Sequence, residues 1–228
     1  MDTKERETMI LERKAYLERI ISSESKKKII VAGPGTGKTY TFSRVFESKG
    51  KGKFLALTFI KNLADSLSFE LGENVETKTF HSFCKGVLHK QIGMVSIFPN
   101  LTAIIEYDAS VLNPRLSDFK SKFQNLEEES EEIRFFLDRG NYYQWLSFED
   151  SVYRLYTILK EDKSILPSFD QIVIDEYQDF NALEVEFLNQ LESKGPILIV
   201  GDDDQALYTS LKHASPYYIR NKFNSGEY

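Results

Sequence analysis

Ile29-Ile30-Val31-Ala32-Gly33-Pro34-Gly35-Thr36-Gly37-Lys38-Thr39 joins a short apolar run to a segment, Tyr40 to Ser48, with helical character. Strand, glycine loop, helix is the order a phosphate-binding loop requires. Gly33, Gly35 and Gly37 let the backbone curl so that successive N–H groups point inward at an anion. The helix that starts beside the loop adds its positive end to the same point. Lys38 can reach the terminal phosphates of a nucleotide, and the Thr39 hydroxyl can ligate Mg²⁺. Gly33, Pro34, Gly35, Thr36, Gly37, Lys38 and Thr39 are therefore the expected nucleotide-binding residues. The strict pattern begins with glycine; Ala32 stands there instead, small enough for the loop to turn. A bare turn has no need of the Gly-Lys-Thr ending.

Working outward, the chain alternates strands and helices. Residues 4–22 carry Met9, Ile10, Tyr16, Leu17, Ile20 and Ile21 at helical spacing. After the loop, Phe54 to Phe59 forms a continuous apolar run, the pattern of a buried parallel strand. Lys61 to Leu71 is a helix with Leu63, Ala64, Leu67 and Leu71 on one face, and Gly72 is its stop. Val75 to Lys78 is a short strand, and Thr79-Phe80-His81-Ser82 opens a further helix through Val87 and Leu88. From about 91 to 147 the character changes to helix alone, around Phe119, Phe123 and Leu126 and around Ile133, Phe136 and Leu137. Phe148–Leu159 is a helix, Ile172–Ile174 a strand, Ala182–Leu191 a helix, Pro196–Val200 a strand, and a short helix follows Pro216. The expected fold is α/β, a parallel sheet with helices on both faces, built from 1–90 and 148–228 and carrying a helical insertion at 91–147.

The chain has 228 residues, enough for one sizeable core with an insertion. Lys and Arg total 29 against 35 acids, a net charge of −6, which argues against nucleic acid covering the whole surface and leaves room for a local groove. Much of the acid excess lies in Glu127-Glu128-Glu129 and Glu131-Glu132, expected as a solvated helix face. The charged N-terminus has no signal-peptide core, and no apolar run approaches a membrane span. The lone cysteine, Cys84, excludes an internal disulfide and fits a reducing compartment. A cytoplasmic chain without a membrane partner is the expectation.

In open α/β sheets, ligands gather at the carboxyl ends of the strands, and two acidic motifs fall there. Ile172-Val173-Ile174 ends in Asp175-Glu176. An acid at this place holds Mg²⁺, directly or through water, and a second one polarises the attacking water. Gly201-Asp202-Asp203-Asp204-Gln205 follows the next strand, where the neutral amide of Gln205 is suited to sensing a third phosphate.

Together these motifs resemble the N-terminal half of UvrD/Rep-type superfamily 1 DNA helicases. The motifs that carry the resemblance are the loop at 32–39, Ala56-Leu57-Thr58-Phe59, Thr79-Phe80-His81-Ser82, Asp175-Glu176-Tyr177-Gln178-Asp179 and Gly201 to Tyr208. The resemblance implies a RecA-like domain that uses ATP and Mg²⁺ and acts on single-stranded DNA, with 3′ to 5′ translocation in the full-length protein. Lys38 and Thr39 would hold phosphates and metal, Asp175 would support the metal, and Glu176 would be the base for the attacking water. Gln205 would couple the third phosphate to the DNA-binding elements, with Gln178 and Asp179 in the same relay. Phe59, Thr79, Phe80 and His81 would meet the DNA strand, and 91–147 would match the family's inserted subdomain in shortened form.

Three departures accompany the match. The family's adenine-reading Gln upstream of the loop has no counterpart, since the first Gln is Gln91. The polar pair after Phe59 is transposed, as Ile60-Lys61-Asn62. The later motifs, with the arginines that a second RecA-like domain brings to the third phosphate, do not occur in these 228 residues, so a fragment of a longer protein is expected. Two other readings stay open: a nucleotide-dependent binding module that does not translocate, and a small-molecule kinase. Around Tyr142, Tyr143, Trp145 and Phe148, a hydrophobic cluster and a base-stacking platform are both compatible with the sequence.

Overall fold

Successive residues of a strand point to opposite faces, so each apolar run divides its side chains between two layers. The structure, a computed structural model, describes residues 3–33, 35–94, 96–202 and 213–228. Its sheet comprises β1 (Lys27–Val31), β2 (Phe54–Thr58), β3 (Val75–Thr79), β4 (Gln171–Ile174) and β5 (Ile197–Gly201). The spatial order is β1-β5-β4-β2-β3, with every neighbouring pair parallel. β1 ends level with Gly201 and β4 ends beside Leu57, so the loops after β1, β2, β4 and β5 share one rim.

One face of the sheet presents Leu55, Leu57, Ile172, Ile174, Ile197 and Ile199. It packs under α4 (Phe80–Ile92), α8 (Phe148–Glu161) and α9 (Ala182–Leu191). The other face presents Phe54, Ala56, Val173, Leu198 and Val200 to α2 (Lys38–Lys49) and α3 (Lys61–Leu71), with Ile20 and Ile21 of α1 (Thr3–Ser22) at its margin. A period of two in sequence thus becomes two separate cores, the burial expected of a parallel sheet covered on both sides.

Segment 91–147 forms α5 (Leu101–Leu112), α6 (Phe119–Gln124) and α7 (Glu131–Tyr143), with an isolated parallel bridge, Ile97 to Leu146, as its only β pairing among the described residues. Phe98 N–H donates to Leu146 O (2.9 Å) and Leu146 N–H to Ser96 O (3.1 Å), so the segment leaves and returns at one place. Leu101, Ile105, Phe119, Phe123 and Phe136 join the same core as α4, α8 and α9. The last helix, α10 (Tyr217–Asn224), follows Pro216.

Two local expectations change. β2 stops at Thr58, and Phe59 lies just beyond it at the rim. The acidic run is not a single helix face: residues 127–130 form the turn before α7, and Glu131 and Glu132 start that helix, where acids complement its positive end. Glu128 is pinned by Lys160 (2.6 Å) and the Tyr156 hydroxyl (3.0 Å), contacts supplied by α8, more than twenty residues downstream.

Gly195 lies in the turn before β5, where Phe169 N–H donates to Lys194 O (2.8 Å). A Cβ at 195 would sit 2.1 Å from the Phe169 carbonyl oxygen. Gly195→Ala is therefore expected to destabilise the fold by about 3 kcal/mol, the upper part of the overpacking range, because backbone has to move. The measurement is the urea midpoint, which should fall with an unchanged slope.

Candidate active site at the carboxyl rim of the sheet

The loop after β1 delivers its lysine through helix geometry. Gly37 has φ 85° and Gly35 φ 71°, conformations open to glycine at little cost. Gly37 caps α2 without any side chain accepting from the first-turn amides, which leaves those N–H groups for an anion. Thr36 Oγ1 donates to Gly33 O (2.8 Å), closing the loop on itself. Ala32 N–H donates to Gly201 O (2.9 Å), fastening the loop to the end of β5. Pro34 lies outside the described residues.

Lys38 opens α2, and its ammonium reaches across to the β4 loop. It donates to Glu176 Oε1 at 2.6 Å and lies 3.6 Å from Asp175 Oδ1. Burial pulls the Lys38 ammonium down, and the two carboxylates outweigh it, so the net direction is up. Asp175 is buried, and burial pushes its carboxyl up to about 6 against the opposing pull of Lys38. Asp175 Oδ1 also accepts from Glu176 N–H (3.0 Å). Glu176 has φ 53°, a left-handed conformation that costs a non-glycine residue roughly 1 kcal/mol. Such strain persists only where the surroundings over-determine it.

The surroundings here are Asp179, whose N–H donates to Glu176 O (3.0 Å), Lys38 on the side chain, and Gln178. Gln178 Nε2 donates to Glu176 Oε2 (2.8 Å), and its Oε1 accepts from Asp202 N–H (3.0 Å). One buried amide thus ties the β4 loop to the end of β5. Asp202 in turn faces the loop, its Oδ2 standing 3.4 Å from where a Cβ on Gly33 would be. Gln205 lies outside the described residues, so the structure places the start of its motif and not the amide itself.

The donor set suits Mg²⁺. A buried carboxylate and the Thr39 hydroxyl offer hard oxygens, and this ion is held by one or two protein groups together with substrate phosphates. Bound there, it would neutralise charge on the phosphates.

The expected DNA-contacting residues gather at the adjoining part of the rim. The Phe59 ring meets His81 and Phe180 edge-on, each at 5.8 Å between centroids. His81 meets Phe148 at 5.7 Å, and its Nε2 lies 3.3 Å from Glu184 Oε1. Thr79 caps α4, accepting from Ser82 N–H (3.2 Å). Phe80 is fully buried between Phe180 and Phe187, so it forms the floor under His81 and Phe59 and offers no face to a base. Phe59 and His81 are half-buried, and Phe148 is exposed. Trp145 stacks on Phe98 (4.5 Å), and Tyr143 bonds Asp108 through its hydroxyl (2.8 Å), so most of that aromatic group is spent on the insertion's own packing.

Glu184 is a site neighbour that none of the sequence motifs contains. Asn181 and Glu184 form a capping box at the start of α9, so the same carboxylate that starts the helix also faces His81. The signal was legible as Asn-x-x-Glu ahead of an apolar run.

A parallel sheet with a glycine loop after its edge strand, a lysine paired to strand-end acids and a glutamine bridge to the next strand defines a P-loop nucleotide-binding domain of RecA-like fold. A family profile described as an AAA domain matches residues 17–211, and the chain belongs to that family. The chain is 24% identical over 86% of its length to a probable DNA helicase II homolog of Mycoplasma genitalium, covering 37% of that protein. It is 25% identical over 88% of its length to the ATP-dependent DNA helicase Rep of Buchnera aphidicola, covering 38% of it. It is 24% identical over 79% of its length to the ATP-dependent DNA helicase PcrA of Staphylococcus epidermidis, covering 32% of it. The UvrD/Rep-type resemblance is thereby borne out, with the chain spanning less than two fifths of these relatives. No helix among the described residues is long and apolar enough to cross a membrane.

Proposed function

We propose that this chain is the ATP-binding, ATP-hydrolysing domain of a UvrD/Rep-type DNA helicase, with 1–90 and 148–228 as the RecA-like unit and 91–147 as its inserted helical part. In the full-length protein, hydrolysis of ATP with Mg²⁺ drives translocation on single-stranded DNA from 3′ to 5′. A second RecA-like domain supplies the arginines that complete the site.

The observation that carries this reading is the convergence of Lys38, Asp175, Glu176 and Gln178 within hydrogen-bond or ion-pair reach at one rim. Lys38 and the loop amides hold the phosphates. Asp175 and Thr39 hold the metal. Glu176 accepts a proton from the attacking water once phosphate has drawn Lys38 away from it. Phe59 and His81 form the strand-facing surface, and Gln205 links it to the third phosphate. Alone, the chain binds nucleotide, hydrolyses slowly and unwinds nothing.

Titrating ATP with Mg²⁺ into the wild type and into Lys38→Ala tests the first step. The variant should bind at least about tenfold more weakly, since a charge-assisted contact to phosphate contributes roughly 1.5–3 kcal/mol. Equal affinity in both would remove the site. In the longest natural form, single-stranded DNA should stimulate hydrolysis; a rate indifferent to DNA would favour the binding module instead.

A further inference from the structure

Glu176 owes its orientation to a side chain that has space only because its neighbour has none. Gln178 is buried, and its amide lies across the last residue of β5. A Cβ on Gly201 would stand 2.5 Å from Gln178 Oε1, 2.7 Å from Ile219 Cδ1 and 3.2 Å from the Tyr177 amide nitrogen. The backbone at Gly201 is ordinary extended strand with no positive φ, so conformation does not call for glycine there. Space does. Ile219, fully buried on α10, forms the far wall of that space.

We propose that Gly201 is a positioning residue for Glu176, acting through Gln178, with Ile219 as the wall that keeps the amide in place. The proposal rests on the reading of Glu176 as the group that activates water. A methyl at 201 displaces the Gln178 amide. The carboxylate then keeps Lys38 on one oxygen and loses its donor on the other, and the left-handed turn at Glu176 loses one of its restraints. The same amide joins the loop that would hold the base to the loop that leads into the Asp203-Asp204-Gln205 motif, so its position sets how one reports to the other.

Gly201→Ala should lower single-turnover ATP hydrolysis by the 228-residue chain at least about tenfold, within the range a misplaced general base gives. Affinity for ATP with Mg²⁺ should stay within about threefold, because Lys38 and the loop amides are retained. The variant Gly201→Ala/Ile219→Val removes the Cδ1 contact and leaves the Gln178 contact, which keeps a folded protein available. A double-mutant cycle separates positioning from general damage. If Gly201 acts through Gln178, Gly201→Ala adds nothing to Gln178→Ala; additive losses would overturn the proposal.

A second readout is independent of turnover. The side-chain amide protons of Gln178, identified by their loss in Gln178→Ala, should exchange slowly with water in the wild type and rapidly in both 201 variants. Slow exchange in the variants would overturn the proposal. Absence of hydrolysis in the wild type would count against the assigned function, and the amide signals would still decide the positioning role.

Discussion

Glu176→Gln is expected to lower ATP hydrolysis by about 10²- to 10⁴-fold, the contribution of a placed general base, which is the role proposed for Glu176. Glu176→Gln keeps the shape of the side chain and its reach to Gln178, and it loses the capacity to take a proton. It also removes the carboxylate that holds Lys38 at 2.6 Å. Lys38 then meets phosphate without first leaving the shorter of its two ion pairs, with Asp175 at 3.6 Å remaining, so nucleotide affinity is expected to stay level or rise. Phosphate release and a nucleotide titration on the same preparation check both halves. Hydrolysis within about threefold of wild type would mean that another group moves the proton.

Arg154→Met is expected to destabilise the fold by about 3–5 kcal/mol at neutral pH, the cost of leaving a buried charge without its partner. Asp150 is fully buried in the first turn of α8, and Arg154 Nε bonds its Oδ1 at 2.6 Å. Arg154 also donates to Leu137 O (3.2 Å), fastening the middle of α7. Asp150 Oδ2 is buried without a hydrogen-bond partner, near Gly140 of α7.

Burial pushes the Asp150 carboxyl up to about 6, above its ordinary 3.8, even with Arg154 in place. A raised carboxyl binds its proton more tightly in the folded chain than in the unfolded one. The stabilisation from protonation is therefore fully present below about pH 4 and is lost as pH rises through about 6. Against Asp150→Asn, which has no proton to exchange, the wild type should gain about 2 kcal/mol between pH 7.5 and pH 4. The Arg154→Met penalty should shrink over the same interval, because a neutral carboxyl needs no cation. Denaturant midpoints at several pH values test both; a penalty constant across pH would mean that Arg154 contributes packing alone.

Much of this protein is legible in its sequence. The glycine loop, the buried apolar runs and the acids after Ile174 are local patterns, and local patterns report local structure. Helices 61–71 and 182–191 fall where periodicity and end signals put them, because an amphipathic stripe and a stop are properties of neighbouring residues. The acidic run at 127–132 was harder to place: it is split between a turn and a helix start, and a lysine on α8 settles where Glu128 goes.

The class of fold and the candidate residues for the chemistry were readable from short stretches of sequence, since each such stretch has a local physical meaning. Tertiary structure alone decided the rest. It set β5 between β1 and β4, brought Lys38 to Glu176 across 138 residues and laid Gln178 over Asp202 across 24. It also closed Phe80 inside the core while leaving Phe59 and His81 at the rim. These are matters of distance through space between residues far apart in the chain. They follow from how two apolar faces of one sheet are covered, and no local pattern contains that information.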